Sequence, residues 1–451
     1  MEQQLTLNFM LPFIYLLILS KVSLVISYPS INHHQQQSPV NTHAILIAGT
    51  SGWINYRHQA NIAHGYQILR SHGIPKENII VMSTDDIAHN EKNPIKGKLF
   101  NSPHGNDVYS GLKIDYSGNQ VTPINFLNIL NGSSSLELPK VLKSNSNDNV
   151  FIYISSLGST GLISFPNDIL TSKSFNEALI NLKINQKFSH LTVYLDTDYS
   201  GSMFDSMLPE NISVYSLSSA SANQLNVACY CNNQLIPSTC LANSFSSAWL
   251  SYSGSKFSLS NVTLSQQFQA IVRSIGHSQS KPLTPRQYGD LSLVHLPIGQ
   301  FMGSNESIKV EQLSTIRDQL STIDVPLEML KVTSKEESLL EIINLRRSFD
   351  RAFYRLIDDL CWAGYCSNVT HILSSSSRLL NHDIYHLIVT KFHTDCLNIA
   401  RGSYAMVKMY AFANIINESE SKLSQQLDKF LPSMYQACRR HIINHRFENI
   451  I

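Results

Sequence analysis

Val150-Phe151-Ile152-Tyr153-Ile154-Ser155-Ser156-Leu157-Gly158-Ser159-Thr160-Gly161 runs from an unbroken apolar stretch into a turn rich in serine and glycine. Leu191-Thr192-Val193-Tyr194-Leu195-Asp196-Thr197-Asp198-Tyr199-Ser200-Gly201-Ser202 repeats the design. Ala44–Ala48 and Ile79–Met82 are two further apolar runs. Between them Ile62, Tyr66 and Leu69 fall on one face of a helix, Gly73 can cap it, and Pro75 lies just beyond. Continuous apolar runs alternating with helices predict an α/β fold, a mostly parallel sheet with helices on both faces. Such sheets place their ligand sites at the carboxyl ends of strands. The two serine- and glycine-rich turns are therefore the candidate site on pattern alone.

Those turns also carry a likeness. From His43 to about Asp290 the chain resembles the legumain family, asparaginyl endopeptidases also called vacuolar processing enzymes. Gly52-Trp53-Ile54-Asn55-Tyr56-Arg57-His58-Gln59-Ala60-Asn61 follows the family's Gly-Trp-x-Asn-Tyr-Arg-His-Gln-Ala-Asp. Asp85-Asp86-Ile87-Ala88, Asp115-Tyr116-Ser117-Gly118 and Gln287-Tyr288-Gly289-Asp290 also agree. Met409-Tyr410-Ala411-Phe412-Ala413-Asn414-Ile415 is similar to the C-terminal prodomain of the plant enzymes. The resemblance implies a caspase-like core followed by an all-α, prodomain-like domain. The expected organisation is 1–27 signal peptide, 28–42 polar connector, 43–300 peptidase domain, 301–335 linker and 336–451 helical domain. In the last part Ser334–Glu337 can form a capping box, Leu340, Ile343, Phe349, Phe353, Leu356 and Ile357 recur at helical spacing, and Tyr404–Ile416 is apolar and helix-compatible.

The family's base lies in Asp-His-Gly-Ser-Thr-Gly and its nucleophile in Glu-Ala-Cys-Glu-Ser-Gly-Ser. Here the base position is Leu157 and the nucleophile position is Asp198. Thiolate attack needs a thiol and a base, and neither stands at these positions. Asn55 matches the residue that orients the base. Arg57 and His58 match positions lining the substrate pocket. The pocket's Glu corresponds to Asp196, one methylene shorter, and its second acid to the neutral Asn243. Its Ser falls at Asn226 or Val227. Asp198, Ser156 and Ser200 are the replacement nucleophiles to consider, each without a base at Leu157.

Composition sets further bounds. Of 451 residues 15% are charged and the net charge is +1, so no basic stripe points to nucleic acid. Phe9–Leu19 is an uncharged apolar run, and Val25 and Ser27 offer a small-residue cleavage site, as in a secretory signal. The opposing reading is an uncleaved anchor, because no Lys or Arg precedes the run. Sequons start at Asn131, Asn211, Asn261, Asn305, Asn368 and Asn417. Together these features predict a glycoprotein of the secretory pathway, bound for a vacuole, a lysosome or the exterior, with no stable membrane span after signal cleavage. His33 and His34 have no second cluster to complete a metal site, so no metal or cofactor is expected. All seven cysteines lie after residue 228. The resemblance pairs Cys231 with Cys240 and Cys396 with Cys438. It leaves Cys361–Cys366 as a further candidate and Cys229 as a thiol open to exchange. A family bridge between positions 384 and 416 is replaced here by Ile384 and Ile416.

Three functions are weighed. One is an inactive homologue with a binding or regulatory role, its partners being peptides, cystatin-type inhibitors or active paralogues. The second is an active asparaginyl cysteine endopeptidase of vacuolar or lysosomal protein processing. The third is a structural glycoprotein.

Overall fold

The computed structural model describes residues 40–132, 139–231, 233–237, 239–276, 283–305, 336–374 and 377–443, with Phe447 and Ile450. The signal sequence, the connector up to residue 39, the linker beyond Asn305 and a capping box read at Ser334–Glu337 lie outside the described side chains.

β1 (Thr42–Ala48), β2 (Ile79–Met82), β3 (Asn149–Ser155), β7 (His190–Asp196) and β8 (Val214–Ser218) form the parallel part of a six-stranded sheet. The order is β2-β1-β3-β7-β8-β9, with β9 (Arg286–Gly289) antiparallel at one edge. A small three-stranded sheet of β4 (Gly158–Ser159), β5 (Leu162–Ser164) and β6 (Ile169–Thr171) follows β3. The central strands are buried along their length, and their period of two divides the apolar side chains between two cores. Ala44, Leu46, Phe151, Tyr153 and Tyr194 pack under α1 (Tyr56–Ser71), α4 (Ser244–Gly254) and α5 (Leu264–Gly276). Ile45, Ile47, Ile152, Ile154 and Val193 pack under α2 (Pro123–Asn131) and α3 (Ser172–Ile184). Ile62, Tyr66 and Leu69 are buried together as their spacing predicts, and α1 ends before Gly73, whose φ is 93°.

Register fixes the site. Ala48 stands opposite Ser155, and Ser155 opposite Asp196. Three neighbouring strands thus end level, and the loops after them leave from one line. Gly158 lets two of these loops touch: a Cβ there would lie 2.5 Å from the Asp198 carbonyl oxygen.

After α6 (Gly299–Met302), the chain resumes as α7 (Glu336–Trp362), α8 (Val369–Ser374), α9 (His382–Asp395), α10 (Ser403–Val407) and α11 (Tyr410–His441). Phe349, Phe353, Leu356 and Ile357 of α7 are core. Leu340, read as part of the same apolar face, is 60% exposed; nine residues before Phe349 is two and a half turns, which puts it on the opposite side. Tyr404–Ile416, read as one helical stretch, divides between α10 and α11 around Lys408 and Met409. Cys361–Cys366 and Cys396–Cys438 are bonded in this region. Ile384 and Ile416 are both buried in its core.

The helical region packs directly on the sheet region. Leu162 and Ile169 join its apolar cluster. Tyr385 donates to the Thr160 carbonyl at 2.5 Å, and Arg378 pairs with Asp205 at 2.6 Å. His382 and His386 of α9 bond Ser172 and Thr171 at 2.6 and 2.8 Å. Burial pushes the His382 imidazole down to about 4, with Asp205 and Asp383 pulling the other way.

Two outcomes are expected. Below its ordinary 6.5, His382 is protonated in the unfolded chain but stays neutral in the fold until about pH 4. Its contribution is therefore intact at neutral pH and lost as pH falls through that window, by about 3 kcal/mol in all. The difference in unfolding free energy between wild type and His382→Gln, measured by chemical denaturation from pH 7 to 4, should show this slope. Gly158→Ala should lower stability by about 1–3 kcal/mol through overpacking, read as a drop in the denaturation midpoint.

Candidate functional site

A cavity of about 270 Å³ lies where the level strand ends meet the helical region. Its inner wall includes Arg57, Ser156, Leu157, Gly158, Asp198, Asn226 and Asn243. Its outer wall is α10 with the residue after it, including Tyr404, Met406, Val407 and Lys408. α10 is held from behind by α7: Tyr404 donates to Asp350 at 2.7 Å, Lys408 pairs with Asp350 at 3.0 Å, and the Arg346 guanidinium lies 4.6 Å over the Tyr404 ring.

Charge is arranged in layers beneath the cavity. β7 ends at Asp196, so Asp196 and Asp198 do not share a strand face. Asp196 is fully buried, whereas Asp198 reaches the cavity. Asn226 joins them: its backbone N–H donates to Asp198 Oδ1 at 2.8 Å and its side chain donates to Asp196 Oδ1 at 2.6 Å. Ser246 donates to the other oxygen of Asp196. Burial raises Asp196 to about 6, against the pull of Ser246, Asn226 and Arg57. Burial also disfavours the Arg57 charge, and Asp198, then Asp196, sustain it. The sequence left Asn226 and Val227 as alternatives for one pocket position; the side chain facing Asp196 is that of Asn226.

Not every candidate residue reaches the cavity. Asn55 immediately precedes α1 and donates its side-chain amide to the Ser51 carbonyl at 3.0 Å. His58 is fully buried, its Nδ1 2.7 Å from Thr50 Oγ1 and its Nε2 without a hydrogen-bond partner. Burial, then the neighbouring Arg57, holds its imidazole well below the ordinary range, so it is neutral. Asn243 lines the cavity but accepts at 3.0 Å from Asn61, which also donates to Ser155.

Replacement nucleophiles are equally committed. Ser156 donates to the Ser164 carbonyl at 2.7 Å. Ser200 is fully buried, donating to the Ala220 carbonyl at 3.2 Å and accepting from the Ala220 N–H at 2.9 Å. Among the described residues neither a histidine nor a cysteine lines the cavity. Cys231–Cys240 is bonded, and Cys229 is unpaired. The exchange expected of Cys229 meets an obstacle: the thiol is fully buried, and burial pushes its pKa strongly up, away from the reactive thiolate.

The profile described as the Peptidase C13 family matches residues 42–304. The chain belongs to that family. Legumain of Rattus norvegicus is 33% identical over 418 residues, covering 88% of this chain and 92% of its own. The vacuolar-processing enzyme delta-isozyme of Arabidopsis thaliana is 31% identical, with 88% and 90% covered. Hemoglobinase of Schistosoma mansoni is 39% identical over 293 residues, with 64% and 66% covered. Caspase-1 from Spodoptera frugiperda aligns at a TM-score of 0.34 and 8% identity, covering 60% of this chain and 92% of its own. The fold assignment to this legumain family rests on the family match and the observed sheet, with helices on both faces and a helical C-terminal region. Within the family frame, Leu157 and Asp198 stand on the cavity wall and Asn55 does not. No sequence pattern marked Ser246 as an Asp196 partner or α10 as the outer wall. Both contacts join residues far apart in the chain.

Among the described residues no helix is long and apolar enough to cross a membrane, and no His, Cys, Asp and Glu group suits a metal ion. The sequon at Asn417 is distinctive, since its Nδ2 donates to the Arg378 carbonyl at 2.6 Å from within α11.

Asp196 supplies a further test. Its folded pKa lies above the unfolded 3.8, so the fold holds a proton that the unfolded chain releases. Its effect favours folding at low pH, and that advantage is lost as pH rises from about 4 to 6. Asp196→Asn should then raise stability by about 2 kcal/mol near neutral pH and by little at pH 4. Denaturation of both proteins at the two pH values checks it.

Proposed function

We propose that this chain is a non-catalytic member of the peptidase C13 family, a pseudoprotease with a binding or regulatory role. One observation carries the reading: the wall of the cavity presents Leu157 and Asp198 where the family resemblance puts base and nucleophile. A leucine side chain neither takes nor gives a proton. A carboxylate beside a buried guanidinium is stabilised as a charge rather than activated for attack. Ser156 and Ser200 are occupied with backbone carbonyls, and the unpaired Cys229 is buried and protonated.

Asparagine recognition is altered as well. A primary amide needs a donor and an acceptor facing it in fixed geometry, and each buried group left unmatched costs about 1–3 kcal/mol. Asn243 in place of an acid and the added Asp198 change that array. Peptides, cystatin-type inhibitors and active family members are the partners in view, in a vacuole, a lysosome or the extracellular space.

The purified protein should show only background cleavage of a fluorogenic asparaginyl peptide at acidic pH, and should stay uncut when acidified alone. Leu157→His/Asp198→Cys should regain traces at most. Cleavage after asparagine that survives Asp198→Ala and disappears with Asn55→Ala would overturn the reading, because it would reveal another working site.

A further inference from the structure

Helix α7 buries Phe349, Phe353, Leu356 and Ile357 on one side and turns another to solvent. On the outer side lie Leu340, Arg347, Arg351, Tyr354, Arg355 and Trp362. At 1.5 Å per residue they span roughly 33 Å. Leu340 is 60% exposed, Tyr354 43% and Trp362 85%, and the three arginines are exposed. Large aromatic side chains are seldom left this open.

The arginines stand four residues apart, so each is the surface neighbour of the next. Like charges at that spacing weaken a helix, and among the described residues no acid forms an ion pair with them. Asp350 is taken by Lys408 and Tyr404, and Asp359 by Arg440 and His441. Asp358 is half-buried on this side and makes no ion pair with the arginines. Among the described residues the three guanidinium groups keep their fork of donors for something outside the fold. Arginine, tyrosine and tryptophan are also the residue types that dominate protein interface energetics.

We propose that the outer face of α7 is a docking surface for an acidic polypeptide segment. Arg347, Arg351 and Arg355 take its carboxylates in bidentate pairs, and Tyr354 and Trp362 cover its apolar side chains. A nucleic acid or lipid surface fits less well. The chain carries a net charge of only +1, so no broad positive field surrounds this single row of arginines. This surface is independent of the cavity and of whether the cavity has any chemistry.

The test is fluorescence anisotropy of the full-length protein with a fluorescein-labelled copolymer of glutamate and tyrosine. Saturable binding is expected, weaker at higher salt. Arg347→Glu/Arg351→Glu/Arg355→Glu should weaken it at least tenfold. The matching triple change to Gln, which introduces no new charge, should weaken it several-fold. Trp362→Ala should weaken binding while leaving its salt dependence unchanged, since no charge is removed. Circular dichroism and melting midpoints establish that each variant is folded. Equal affinity of wild type and the Gln triple variant overturns the proposal. So does equally tight binding of labelled polylysine, or binding to phosphatidylserine vesicles without binding to the copolymer. A dimer abolished by Trp362→Ala and unaffected by the copolymer would also overturn it, by showing a second copy as the occupant.

Discussion

Three parallel strands end level at Ala48, Ser155 and Asp196, and the architecture of the site follows from that register. Hydrogen bonding across the sheet sets it, and burial on both faces keeps it from slipping, because a shift by one residue would turn each apolar side chain to the wrong core. The loops after these strands must meet at one place whatever residues they carry. Gly158 preserves the close approach of two of them. A site can therefore lose its reacting groups and keep its shape: the cavity is built by backbone pairing, whereas chemistry needs only two side chains on its rim.

Those two side chains have different effects on what surrounds them. Leu157 is half-buried and adds apolar surface beside a polar pocket. Asp198 adds a carboxylate, fixed by the Asn226 N–H and favourable to the buried Arg57. A buried cation without a counter-charge is costly, and Asp196 offers only partial relief, since burial raises its pKa to about 6. In mildly acid surroundings Asp196 is substantially protonated, and Asp198 becomes the main compensation for Arg57. Asp198 thus has a physical role in this pocket apart from any nucleophile it replaces.

Much of this was legible in the sequence. The apolar runs at Ala44–Ala48, Val150–Ile154 and Leu191–Leu195 identify buried parallel strands, because local composition and burial agree there. The serine- and glycine-rich turns mark the strand ends. The partners of Asp196 were less accessible. Ser246 is fifty residues away in the chain and reaches it by way of α4. Nor did Tyr404 and Lys408 announce themselves as a cavity wall, because their apolar neighbours read as one more helical stretch. Leu340 misled for a related reason: helical spacing over a long run can link residues that lie on opposite sides once the turns are counted.

The helical region joins these features into one energetic problem. It closes the cavity with α10, binds the sheet region through α9, and leaves the outer side of α7 to solvent. Two buried groups respond oppositely to acid. His382, at the contact between the regions, loses stability as pH falls, whereas Asp196, under the cavity, gains relative to neutral pH. The shifts are of similar size and act over overlapping ranges of pH. Acidification therefore transfers stability from the interface with α9 to the pocket floor. Global unfolding alone underreports such a transfer, because opposing contributions cancel in it. Local opening of α9 relative to the sheet, followed by hydrogen exchange, separates the two.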